Sequence, residues 1–136
     1  MNHKVFTNSE LNITTDDIVN FLSCEAAGFD YWAELCPDPE DYTAARARVA
    51  SRATERMSQE YVCYEEVLAE ILEFGGSLRV YDIEEDKDHP MTMALLLNGF
   101  RLNAKNRPED ASIEDGDAET ADCILQYAIF GDVIYG

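Results

Sequence analysis

The chain reads as an α+β protein, a small and mostly antiparallel sheet covered by about four helices in a single domain spanning 1–136. Three observations lead there. Apolar residues recur at helical spacing in several stretches, short alternating segments rich in aromatic and β-branched residues lie between them, and glycine or proline punctuates most of the changes. With 136 residues, 46% of them hydrophobic, and seven Tyr, six Phe and one Trp, the chain has enough apolar content for one core. Acidic chains that stay unfolded lack that content, so disorder is excluded.

In chain order, Ile13-Thr14-Thr15-Asp16-Asp17-Ile18 opens a first helix. Thr14 is its N-cap, Asp16 and Asp17 favour the first turn, and Ile18, Phe21, Leu22 and Ala26 line one face up to Gly28. Phe29 to Leu35 alternates as a strand, closed by Pro37 to Pro39. The stretch 40–57 is Ala-rich and helical, and it holds Arg46, Arg48, Arg52 and Arg56, the last three four residues apart on one face. It is an Arg-bearing helical addition, set either to contact phosphates or, as the surrounding negative field favours, to pair with the chain's own carboxylates or lie solvated.

Tyr64 to Phe74 repeats apolar residues at i, i+3, i+4, i+7 and i+8 until Gly75-Gly76 stops it. Ser77 to Tyr81 is a strand, Asp82 to Asp88 a charged turn, and His89 to Thr92 the returning strand of a hairpin. Between Met93 and Lys105, Asn98-Gly99 signals a turn, but Met93, Leu96, Leu97 and Phe100 are spaced for a helix, which is preferred despite an interior glycine costing about 1 kcal/mol. After a polar loop from Arg107 to Gly116, a last helix runs from Ala118 to Phe130 with Asp117 as N-cap, and Val133-Ile134-Tyr135 forms an edge strand.

Charge dominates everything else. The chain carries 28 Asp and Glu against 10 Lys and Arg, a formal net of −18. Such a field repels nucleic acid and anionic membranes and draws in cationic surfaces, so the expected partner is a protein with a basic groove rather than nucleic acid or a membrane. Two segments concentrate the acids: Asp82, Glu84, Glu85, Asp86 and Asp88 in the hairpin, and Glu109, Asp110, Glu114, Asp115, Asp117 and Glu119 ahead of and into the last helix. Brought to one side of the fold, they would imitate the charge density of duplex DNA. These eleven residues are the candidate partner contacts, with Tyr31, Trp32, Tyr61 and Tyr64 as candidate aromatic anchors, although residues of this kind are more often core.

Other chemistries are poorly represented. The cysteines 24, 36, 63 and 123 are scattered without a C-x-x-C pair, and His3 and His89 stand apart, so reduced and mostly buried thiols are expected rather than a disulfide framework, a metal site or a cofactor. Asp115, Asp117 and Glu119 alternate like calcium ligands, but the required loop glycine and terminal Glu are missing. Phosphate-loop, nucleophile-elbow and zinc-protease motifs are all absent, and an enzyme is not expected. Neither a leader nor an 18-residue apolar run is visible, which points to the cytoplasm. A homodimer is a candidate assembly.

Three stretches resemble small acidic proteins encoded in bacteriophage and prophage genomes: Ile13 to Ile18, then Gly75-Gly76-Ser77-Leu78 with Tyr81-Asp82, and the run ADCILQYAIFGDVIYG from Ala121 to Gly136. The resemblance implies a phage context and, by analogy, action against a host defence. The expected function is thus a phage-encoded anti-defence inhibitor that occupies the nucleic-acid groove of a host protein such as a CRISPR effector. Two rivals are a phage structural or assembly protein whose acidity serves solubility, and a nucleic-acid binder acting through the Arg46 to Arg56 helix.

Overall fold

The computed structural model describes residues 5–8, 11–52, 62–110 and 118–136. Strands β1 (Val5–Asn8) and β2 (Leu11–Thr14) form an antiparallel hairpin that the sequence reading did not anticipate. β2 runs directly into helix α1 (Thr15–Leu22). Thr14 and Asp17 make a capping box there: the Thr14 hydroxyl accepts the Asp17 N–H, and the Asp17 carboxylate accepts the Thr14 N–H at 2.8 Å.

Beyond Ser23 the chain widens into one π-helical turn over Glu25–Phe29 instead of stopping at Gly28. Gly28 is there for proximity, since a Cβ on it would stand 2.7 Å from the Ala118 carbonyl oxygen. The following strand is shorter than expected, β3 (Ala33–Cys36), because Phe29 enters the core from the end of the π-helical turn and Trp32 from the turn that follows it. Asp38 accepts the N–H groups of Glu40 and Asp41 and so starts helix α2 (Pro39–Arg52). The remainder of the expected Arg helix, Arg56 included, lies outside the described residues.

Helix α3 (Tyr64–Glu73), strands β4 (Ser77–Asp82) and β5 (Lys87–Thr92), and helices α4 (Met93–Asn106) and α5 (Ala118–Phe130) follow the predicted order. The three-stranded antiparallel sheet has the order β3-β4-β5. Its inner face carries Ala33, Leu35, Leu78, Val80 and Met91, which join Phe21, Phe29, Trp32, Phe100, Ile124 and the apolar faces of α1, α3, α4 and α5 in one core. The molecule is a single α+β unit.

The expected fourth strand is not formed: residues 131–136 bend at Gly131 and Asp132 and enter no ladder among the described residues. A side chain takes the place of a strand partner. Gln126 Oε1 accepts the N–H groups of Ile134 (2.7 Å) and Tyr135 (2.8 Å), and its Nε2 donates to the Tyr135 carbonyl (3.3 Å). Gln126 is fully buried, so these bonds are what make its position tolerable.

Candidate functional site

The hairpin turn is built around Asp82. Its Oδ1 accepts the N–H groups of Glu84 (2.9 Å) and Glu85 (3.1 Å), folding residues 83–86 back on the strand end. Asp86 completes the reversal at φ 56°, a left-handed conformation that Asp tolerates better than most side chains. Ile83 N–H donates to the Trp32 carbonyl at 2.7 Å, fastening the turn to the residue before β3. Glu84, Glu85, Asp86 and Asp88 are left exposed on a fixed backbone, with Lys87 the single cation among them. Lys87 stands 4.0 Å from Glu85, both side chains well exposed, and such a pair neutralises little.

Sheet register extends this cluster sideways. Glu34, Tyr81 and Asp88 are cross-strand partners in one row of the outer face. Two strand spacings separate Glu34 from Asp88, about 10 Å. The Tyr81 hydroxyl donates to Asp86, and this bond, with burial and the charges of Asp86, Asp88 and Glu34, raises its pKa above the ordinary tyrosine value. Glu25, which accepts the Leu35 N–H at 3.0 Å, is also held above the usual carboxylate range, by burial first and then by Asp30, Glu34 and Glu65. The next row holds Cys36, Arg79 and Pro90. Together with Asp38, Asp41 and Asp88 they line an open concavity of about 660 Å3 between the sheet and the start of α2. Arg79 is its one cation, 3.5 Å from Asp88.

The eleven residues expected from sequence therefore separate. Glu84, Glu85, Asp86 and Asp88 are brought together. Asp82 is corrected: at 0% exposure it is structural, both oxygens being spent on the turn and on the Tyr135 hydroxyl (2.9 Å). Glu109 is exposed in the short 3-10 turn Pro108–Asp110 after α4, and Glu119 is exposed in the first turn of α5. Glu114, Asp115 and Asp117 lie outside the described residues, as does the side chain of Asp110. Glu34, Asp38 and Asp41 belong to the anionic surface and were missed, although the alternation of β3 already sets Glu34 opposite to Ala33 and Leu35.

Two members of the arginine row, Arg48 and Arg52, pair with an acid of their own chain, while Arg46 is exposed and Arg56 lies outside the described residues. Arg48 Nε lies 2.8 Å from Glu70 Oε2, Arg52 bonds the other oxygen, and the Arg48 guanidinium stacks 3.7 Å from the centre of the Phe74 ring. Burial alone would raise the pKa of Glu70, but the two guanidiniums outweigh it and hold the carboxyl below its usual range. Of the aromatic candidates, Trp32 is core, Tyr31 and Tyr64 are exposed, and Tyr61 lies outside the described residues. None of the four cysteines is in a disulfide, and only Cys123 is buried, so the expectation of mostly buried thiols is corrected. Among the described residues no group of three or more His, Cys, Asp or Glu is placed to hold a metal ion, and no helix is long and apolar enough to cross a membrane. Comparison with known protein families, with curated proteins and with solved structures found no match.

Proposed function

We propose that the protein acts by binding, its anionic hairpin end occupying a basic nucleic-acid channel of a host protein in the manner of a phage-encoded anti-defence inhibitor. The observation that supports this most is the placement of Glu34, Glu84, Glu85, Asp86 and Asp88 as exposed carboxylates on one sheet end. Carboxylates fixed on a hairpin and sheet lose little conformational freedom on docking, and a cluster of one sign steers a cationic cleft toward it. A CRISPR effector is one class of protein with such a channel.

A direct nucleic-acid role for Arg48 and Arg52 is disfavoured. Arg48 and Arg52 share Glu70, and presenting them to phosphates would strand a carboxylate that is 4% exposed.

Affinity capture from host lysate tests the proposal, with wild type and a Glu84→Lys/Glu85→Lys variant as bait at low and high salt. The captured protein is expected to handle nucleic acid, to be released by duplex DNA or heparin, and to be lost with the variant. Equal capture by the variant, or self-association in place of any host partner, contradicts the proposal; the second outcome would favour the assembly role.

A further inference from the structure

Asp82 joins two segments that the chain order keeps far apart. One oxygen, Oδ1, holds the backbone of Glu84 and Glu85, and the other, Oδ2, accepts the hydroxyl of Tyr135. Tyr135 is delivered by a segment that leaves α5 at Gly131 and has no strand partner. That segment is held by the Gln126 carboxamide and by the Tyr135 ring, which packs 5.2 Å from Trp32 and 5.9 Å from Phe130, centre to centre. Trp32 in turn accepts the Ile83 N–H through its carbonyl. The carboxyl-terminal segment thus reaches the acidic turn by two routes, through the Asp82 carboxylate and through Trp32.

We propose that residues 132–136 are a latch that sets the geometry of the acidic turn, with Tyr135 as the positioning residue acting through Asp82. A fully buried carboxylate needs its donors. When the hydroxyl is withdrawn, Oδ2 is left buried without that donor, and the group regains solvation by rotating outward, which takes Oδ1 away from the Glu84 and Glu85 amides. The β4–β5 ladder does not depend on this bond, so release loosens the turn and leaves the sheet in place. Latched, the turn presents Glu84 and Glu85 in one arrangement; released, it presents an ensemble. The relevance of this to a partner rests on the function proposed above, whereas the coupling itself is a property of the free protein.

Amide hydrogen exchange on the full chain, wild type against Tyr135→Phe, tests the latch. The substitution keeps the ring between Trp32 and Phe130 and removes only the hydroxyl. Exchange at the Glu84 and Glu85 amides is expected to speed up about tenfold, as for loss of one bond to a charged group, while ladder amides of β4 and β5 keep wild-type protection. Gln126→Ala, which frees the segment's backbone without touching Asp82, should loosen the same two amides. Trp32, the single tryptophan, reports by its fluorescence that ring packing survives in Tyr135→Phe. Unchanged exchange at Glu84 and Glu85, or an equal change at every amide, overturns the latch. Loosened amides combined with unaltered host-protein capture by Glu84→Lys/Glu85→Lys would instead remove the proposed function and leave the latch standing.

Discussion

Buried carboxylates do structural work in a chain whose exposed ones dominate its field. Asp122, on α5, accepts the Tyr31 hydroxyl at 2.6 Å, Trp32 Nε1 at 2.8 Å and Gln126 Nε2 at 2.9 Å. Asp122→Ala would leave those donors without their acceptor and should cost about 3 kcal/mol in urea unfolding, whereas Asp122→Asn, which keeps an acceptor oxygen, should cost less. Tyr135 supplies a pH dependence. Burial and the neighbouring Asp82 push its hydroxyl from 10.0 up to about 12. The folded state therefore holds this proton more tightly than the unfolded chain. Its contribution to stability is complete below pH 10 and lost as pH rises through about 12. Tyr135→Phe should flatten that part of the alkaline unfolding profile; an unchanged slope would show that the hydroxyl is not so placed. Glu70 has the opposite sign, since its folded pKa is depressed. Its contribution is present above the ordinary value of 4.5 and fades as pH falls through the lower folded value.

Among the elements, the contact of α4 with α5 explains why a glycine interrupts a helix. A Cβ on Gly99 would lie 2.5 Å from the Ile124 carbonyl oxygen and 2.9 Å from Ala128 Cβ. Gly99→Ala should lower stability by about 2 kcal/mol, because backbone on the facing helix cannot yield and the clash outweighs the roughly 1 kcal/mol of helix propensity gained. A stabilised variant would mean that the helices are farther apart. The residues that read as a helix from Met93 onward did so through their spacing, and α3, α5 and the β4–β5 hairpin were legible for the same reason. The carboxyl-terminal strand was misread because Val133-Ile134-Tyr135 has strand composition, and composition does not reveal that Gln126, a side chain on the preceding helix, supplies the hydrogen bonds. Asp82 was misassigned by a related cause: counting acids in a segment cannot separate the one that caps a turn from the ones the turn exposes. Glu34 was within reach of the alternation argument. Asp38 and Asp41 were not, because only the folded chain sets the start of α2 against the sheet.

For the whole molecule, a net charge of −18 on 136 residues must be carried by a fold that its own field opposes. Adding sodium chloride to about 0.5 M shortens the screening length severalfold from its low-salt value and should raise the melting temperature; a fall on adding salt would show that ion pairs such as Arg48 and Arg52 with Glu70 outweigh the general repulsion. Arg48 and Arg52 neutralise Glu70, neutral hydrogen-bond donors offset the burial of Asp82 and Asp122, and a concentrated remainder of exposed carboxylates stands on the outer sheet end. That remainder is what the proposed partner would meet. The most direct measurement is displacement of labelled duplex DNA from the captured host protein by wild type and by Glu84→Lys/Glu85→Lys. The account predicts competitive release by wild type and a requirement for at least about tenfold more of the variant, equivalent to 1.4 kcal/mol. Equal release by both proteins, or simultaneous binding of DNA and wild type, would contradict it.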